Sequence, residues 1–251
     1  MALRNSQPLP FAPSGVSDAE DMAGAFPGAM TALTNLIPAA STNNLWVCRP
    51  AAIEEADFSA FTTPGFISAL KIIGTRAYGM IASGLNAGKD QPFVYDFATA
   101  AFVAVSGITD PNSPTSPAAS GAWTPPTMDL VGSKLVVTHP GYDGSGGNYF
   151  GWFDLSNPAS PTWSAGNTSI NLLPTPPSAV KQFNGRAWFM VNLAAQPSVM
   201  ATDSLDPLTI TDADQILTFG DNTMLTALGA LSFKNQFGGI IQALMVFKGS
   251  E

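Results

Sequence analysis

The chain has 251 residues, 45% of them apolar, enough for a sizeable core in one or two domains. Only 11% are charged, and a net charge of −8 leaves no cationic surplus to neutralise a phosphate backbone, which argues against tight non-specific nucleic-acid binding. The single cysteine, Cys48, excludes an intramolecular disulfide and offers no metal cluster; beside Trp46 and Val47 it reads as a buried strand residue.

No stretch approaches the ~20 apolar residues needed to cross a bilayer, and no basic segment leads into a sustained apolar run near the N-terminus. A soluble, non-secreted product is the expectation. Residues 1–44, rich in Ala, Pro, Ser and Asn, show no alternation and read as an N-terminal arm, with one short helix over Asp18 to Met30 after an acidic start. From Leu45 to the end, short apolar runs alternate with Gly, Pro, Asn and Asp, so residues 45–251 are expected to be β structure.

A four-fold pattern runs through that region. Ile73-Gly74-Thr75-Arg76-Ala77-Tyr78, Val131-Gly132-Ser133-Lys134-Leu135-Val136, Phe183-Asn184-Gly185-Arg186-Ala187-Trp188 and Phe233-Lys234-Asn235-Gln236-Phe237-Gly238 share an apolar residue, two turn residues, a long polar residue and an apolar strand. Each predicts a two-residue hairpin turn, most strongly at Asn184-Gly185. A second element follows in phase: Val94-Tyr95-Asp96-Phe97, Trp152-Phe153-Asp154-Leu155, Ala201-Thr202-Asp203-Ser204 and Val246-Phe247-Lys248-Gly249. The first three lead into Phe102-Val103-Ala104, Pro161-Thr162-Trp163 and Leu208-Thr209-Ile210, giving four strands per unit.

Units of roughly fifty residues with four strands each predict an all-β fold: a β-propeller-like array of four-stranded antiparallel units behind an extended N-terminal arm. A β-sandwich with look-alike hairpins is the alternative architecture. Trp46-Val47-Cys48-Arg49 with Ile53 to Phe58 fits the second half of a unit, and the array stops at Glu251 soon after a strand such as Ile240 to Phe247, where another turn and strand would follow. Either the two partial units close one ring, or the chain belongs to something longer. Asp110 to Pro126 reads as a surface loop between units.

No catalytic, cofactor-binding or metal site is expected. His139, the only histidine, has no visible carboxylate and nucleophile to make a triad. The loop Gly141-Tyr142-Asp143-Gly144-Ser145-Gly146-Gly147 lacks the Lys and helix of a phosphate-binding loop and the spaced carboxylates of a calcium loop. Asp212 and Asp214 read as exposed turn residues, and Glu54, Glu55 and Asp57 as a solvated acidic group. Arg76, Lys134, Arg186 and Gln236 occupy one column of the repeat, either a partial ring of cations for a carboxylate, glycan or neighbouring subunit, or strand-end residues kept polar for solubility.

The C-terminal stretch is the most distinctive: Phe183-Asn184-Gly185-Arg186, Ala201-Thr202-Asp203-Ser204-Leu205-Asp206-Pro207-Leu208-Thr209, Leu217-Thr218-Phe219-Gly220-Asp221-Asn222-Thr223, and Asn235-Gln236-Phe237-Gly238-Gly239-Ile240 through Val246-Phe247-Lys248-Gly249. It resembles virion structural proteins of short-tailed bacteriophages, of the tail-nozzle or tail-tube type, best over 180–249 and more loosely from Leu45. The resemblance implies a propeller-bearing, non-enzymatic subunit, made in the host cytoplasm and located in the virion tail. It implies a homo-oligomeric ring, commonly a hexamer, below the portal and adaptor, lining the channel through which DNA passes without specific binding. Relatives generally continue past the Val-Phe-Lys-Gly segment. A competing expectation from another class is a carbohydrate-binding propeller, lectin-like or receptor-binding, with Trp123, Trp152, Trp163 or Trp188 as stacking platforms. A propeller hydrolase lacks its constellation of carboxylate, tyrosine and arginine.

Overall fold

In the computed structural model, the described residues are 36–38, 46–48, 58, 61, 67–83, 88–116, 125–194, 196–220, 222–234 and 240–249. The contacts divide the chain into two compact units, Met1–Glu54 and Glu55–Glu251. Within the first, β1 (Leu36–Pro38) pairs antiparallel with β2 (Trp46–Cys48). The C-terminal end of the expected arm is thus one strand of a hairpin, and Trp46–Cys48 pairs with the segment preceding it. The expected helix over 18–30 and the acidic group at 54–57 lie outside the described residues, as does the surrounding of the Cys48 side chain.

The second unit is all β and consists of successive antiparallel meanders. Sheet A contains β3 (Ile67–Ile73), β4 (Arg76–Ser83), β5 (Lys89–Asp96) and β6 (Ala101–Val103), in that order. Sheet B contains β7 (Thr127–Val131), β8 (Lys134–Thr138), β9 (Phe150–Asp154) and β10 (Thr162–Gly166). Sheet C contains β11 (Ala179–Phe183), β12 (Arg186–Leu193), β13 (Gln196–Ala201) and β14 (Ile216–Thr218). Sheet D is the pair β15 (Leu225–Lys234) and β16 (Ile240–Lys248). The first strands meet in series, β3 with β7, β7 with β11, and β11 with β15. Inner strands that touch in succession, with each meander running outward from them, make the propeller-like array.

The opening turns explain the register. Gly74 and Gly132 take positive φ in the first turn position, and Asn184 and Gly185 both do, which matches the twist of the flanking strands only in the mirror-image hairpin turns. From each turn, strands run with both faces buried, so their apolar residues are continuous rather than alternating. In β8, Leu135 and Val137 pack toward sheet A with Tyr78, Met80, Phe153 and Trp163, while Val136 packs toward sheet C with Phe150, Val180 and Phe189. β12 repeats this: Ala187, Phe189 and Val191 join the B–C core, and Met190 joins Val199 and Leu225 between C and D.

Two expected elements differ. Leu208-Thr209-Ile210 is not the fourth strand of its unit; that strand is β14, later in the chain. The Asp203 and Asp206 carboxylates accept hydrogen bonds from Thr211 and Thr209, and the Asp203 N–H donates to the Thr209 carbonyl, so the backbone is committed to turns before it can join the sheet. The expected surface loop at 110–126 begins exposed at Asp110 and Pro111, but its next residues dock on sheet A. Pro114 O accepts the Asp90 N–H, Thr115 bridges to Lys89, and Ser113 and Ser116 are buried.

Candidate functional site

In sheets A and B the column of long polar residues resolves into a clasp. Arg76 and Lys134 each open the second strand of their unit, and hairpin register carries each opposite the aspartate that ends the third: Arg76 faces Asp96 and Lys134 faces Asp154. Arg76 Nε donates to Asp96 Oδ2 at 2.8 Å, and Lys134 Nζ lies 3.6 Å from Asp154 Oδ2. Arg186 departs from this, donating through Nη1 to Thr202 O at 2.8 Å, because Thr211 and Gln215 take the Asp203 carboxylate. Gln236 lies outside the described residues. The hydrogen bond from Arg76 holds the Asp96 carboxyl below its usual range; Ser156 does most for Asp154, and Thr211, then Gln215, for Asp203. Both halves of the clasp stand in the repeats of the sequence, and the length of the hairpin between them sets them face to face.

A different column crosses the sheets. Two residues before each opening turn segment's apolar residue stand Lys71, Asp129, Lys181 and Leu231. Lys71 Nζ and Lys181 Nζ approach Asp129 at 3.2 and 3.0 Å, from β3 and β11 on either side of β7. The Gln182 N–H, 2.8 Å from Oδ2, and the Leu130 N–H, 3.2 Å from Oδ1, complete its shell. Burial alone would raise the Asp129 carboxyl, but the Gln182 N–H and the two ammonium groups hold it below its usual range. One carboxylate therefore ties three inner strands together.

His139, following β8, is fully buried between sheets A and B. Its Nδ1 accepts the Gly141 N–H at 3.0 Å, so Nε2 carries the proton and donates to Asp90 Oδ2 at 2.9 Å. Ser68 Oγ donates to the same Asp90 oxygen at 2.7 Å. Serine, aspartate and histidine do meet, which the sequence did not reveal because they lie on three separate strands or strand ends. Their order is wrong for nucleophilic catalysis: the serine touches the carboxylate rather than the imidazole, and all three are sealed from solvent. Among the described residues Asp90 Oδ1 has no hydrogen-bond partner, so within them the node joins the sheets without being fully satisfied.

The glycine-rich loop folds as a short turn over Ser145–Gly147 before β9, closed by Gly147 N–H to Gly144 O and Asn148 N–H to Ser145 O. With the 110–115 segment it borders a polar cleft of 270 Å³. Asp212 precedes a one-turn 3-10 segment, Ala213–Gln215, Asp214 lies within it, and both are exposed. Among the described residues no three His, Cys, Asp or Glu side chains gather as a metal site. Of the tryptophans, Trp163 is buried with Nε1 bound to Asn112 O, Trp152 packs against the B–C core, and Trp123 lies outside the described residues. Trp188 borders a groove of 440 Å³ on sheet C, together with Arg186, Ala201, Asp214, Gln215, Ile216 and Leu217.

No protein-family model matches the chain, and no curated protein is similar to it at a significant level.

The two ends of the sheet series are apolar and open. On sheet D, Leu231, Met245 and Phe247 are exposed on the face away from sheet C; on sheet A, Leu70 and Ile72 are exposed on the face away from sheet B. Phe58 and Phe61 cover the outer part of that A face, packing on Phe93 and Phe102 with ring centroids 5.0 to 6.3 Å apart.

Proposed function

We propose that the protein is a structural component of a short-tailed bacteriophage tail, of nozzle or tube type, which assembles with copies of itself into a ring and forms part of the channel through which DNA leaves. The observation that carries this reading beyond sequence likeness is the pair of open apolar faces at opposite ends of the sheet series. Inside the chain, such faces are buried by the next sheet; a neighbouring copy supplies the same kind of surface. A contact between two different faces is heterologous, and heterologous contacts close into rings when the rotation between copies allows. The acidic balance of the chain suits a conduit that DNA slides through rather than binds.

Negative-stain imaging and native mass measurement of the chain, alone and mixed with portal and adaptor proteins of a short-tailed phage, test the reading. A ring-shaped oligomer is expected in at least the mixed sample. A monodisperse monomer at high concentration, unchanged by those partners, would rule it out.

A further inference from the structure

We infer that the groove on sheet C is a binding site for a neutral saccharide, a role independent of assembly. Trp188, Ala201 and Leu217 lie on the face of sheet C that also carries Met190 and Val199, the residues that pack on sheet D. Sheet D contributes only two strands among the described residues, so the outer part of this face remains open as the 440 Å³ groove, within the range of small-molecule sites.

Its chemistry is specific. Trp188 Nε1 is committed to Phe183 O at 3.1 Å, which fixes the indole and leaves its carbon surface, not its N–H, for a ligand. Gln215 is likewise committed: Nε2 donates to Ala201 O at 3.2 Å and to Asp203 Oδ1 at 3.0 Å, and Oε1 accepts the Asp212 N–H. It acts as a strut for the rim. The groups left over are the Asp214 carboxylate, an acceptor without a partner among the described residues, and the Nε and Nη2 donors of Arg186, whose Nη1 holds Thr202 O.

One anion and one cation lining the same groove as an apolar ring suit a ligand that is uncharged, donates and accepts hydrogen bonds, and has an apolar face. A pyranose has all three, with its C–H face against the indole and its hydroxyls reaching the carboxylate and guanidinium. A phosphate-bearing ligand fits poorly, since the single arginine shares the groove with the Asp214 carboxylate and interacts with the Asp203 carboxylate.

Saturation-transfer NMR on the full chain, with maltotriose, lactose and N-acetylglucosamine as probes, tests this. At least one probe is expected to receive saturation, with a dissociation constant on the order of 1 mM. Trp188→Leu keeps apolar packing toward Leu228 and Val246 but removes the platform, and Asp214→Ala removes an exposed acceptor that the fold does not use. Each is expected to weaken binding about tenfold, with far-UV circular dichroism unchanged at least for Asp214→Ala. Absence of transfer to all three sugars, or transfer undiminished by Asp214→Ala, overturns the site while leaving the assembly reading intact.

Discussion

Two buried aspartates carry different kinds of work. Asp90 is fully enclosed and collects two donors on one oxygen, so Asp90→Ala strands the His139 and Ser68 donors between sheets A and B. That loss should lower unfolding free energy by about 3 kcal/mol or more, whereas Ser68→Ala, which leaves the imidazole paired, should cost about 1 kcal/mol. Urea unfolding followed by fluorescence separates the two; equal costs would mean that the imidazole adds nothing. Asp129 sits nearer solvent and is one of four carboxylates, with Asp96, Asp154 and Asp203, whose folded pKa lies below the ordinary value. A carboxylate depressed on folding contributes stability that is complete above its unfolded pKa of about 3.9 and is lost as pH falls through the folded value. The urea midpoint should therefore be insensitive to these groups between pH 7 and 5 and drop below about pH 4. Asp129→Asn should cost stability at pH 7 and make the acid drop shallower, because its own share of that drop has been removed.

At the scale of strands and sheets, the repeat was legible because hairpin turns have strict chemistry. Asn184-Gly185, Gly74 and Gly132 mark turns by residue type alone, and the strands that follow them fall where the pattern puts them. What could not be read were contacts that depend on which strands become neighbours. Lys71, Asp129 and Lys181 are unremarkable in sequence until β3, β7 and β11 are set side by side, and Asp90 announces nothing until His139 reaches it from the next sheet. The misplaced fourth strand of sheet C has a local cause: side chains in 203–215 compete for the backbone, which periodicity does not register. Close packing between strands also hides in a small residue. In β9, Gly151 lies beneath the Trp163 indole, and a Cβ there would collide with the ring and come 2.6 Å from the Tyr142 hydroxyl oxygen. Gly151→Ala should therefore destabilise by roughly 1–3 kcal/mol through overpacking, although alanine is the better strand residue, and a lowered melting temperature with unchanged strand content would register it.

At the scale of the whole molecule, sheets A and D leave in water apolar surface that a lone chain has no reason to expose. Sheets B and C have a neighbouring sheet on each face, so their inner strands bury apolar residues on both sides, and only Leu193 and Leu217 of their large apolar side chains stand exposed among the described residues of these strands. Sheets A and D each have one face toward a neighbour and one that leaves Leu70 and Ile72, or Leu231, Met245 and Phe247, in water. Single exposed apolar residues are ordinary, but clusters on one sheet face mark contact surfaces. Replacing Met245 and Phe247 by lysine should change stability by no more than about 0.5 kcal/mol per site, since neither side chain is in the core, yet reduce self-association and dye binding to exposed apolar surface. Leu70→Lys with Ile72→Lys should do the same from the other end. Each double variant retains one intact face. If the contact joins the A face of one copy to the D face of the next, neither variant can extend alone, and an equimolar mixture should yield dimers and stop there. A contact between like faces predicts the reverse: each variant dimerises by itself through its remaining face, and mixing adds nothing. Sedimentation velocity on the two variants and their mixture decides between them.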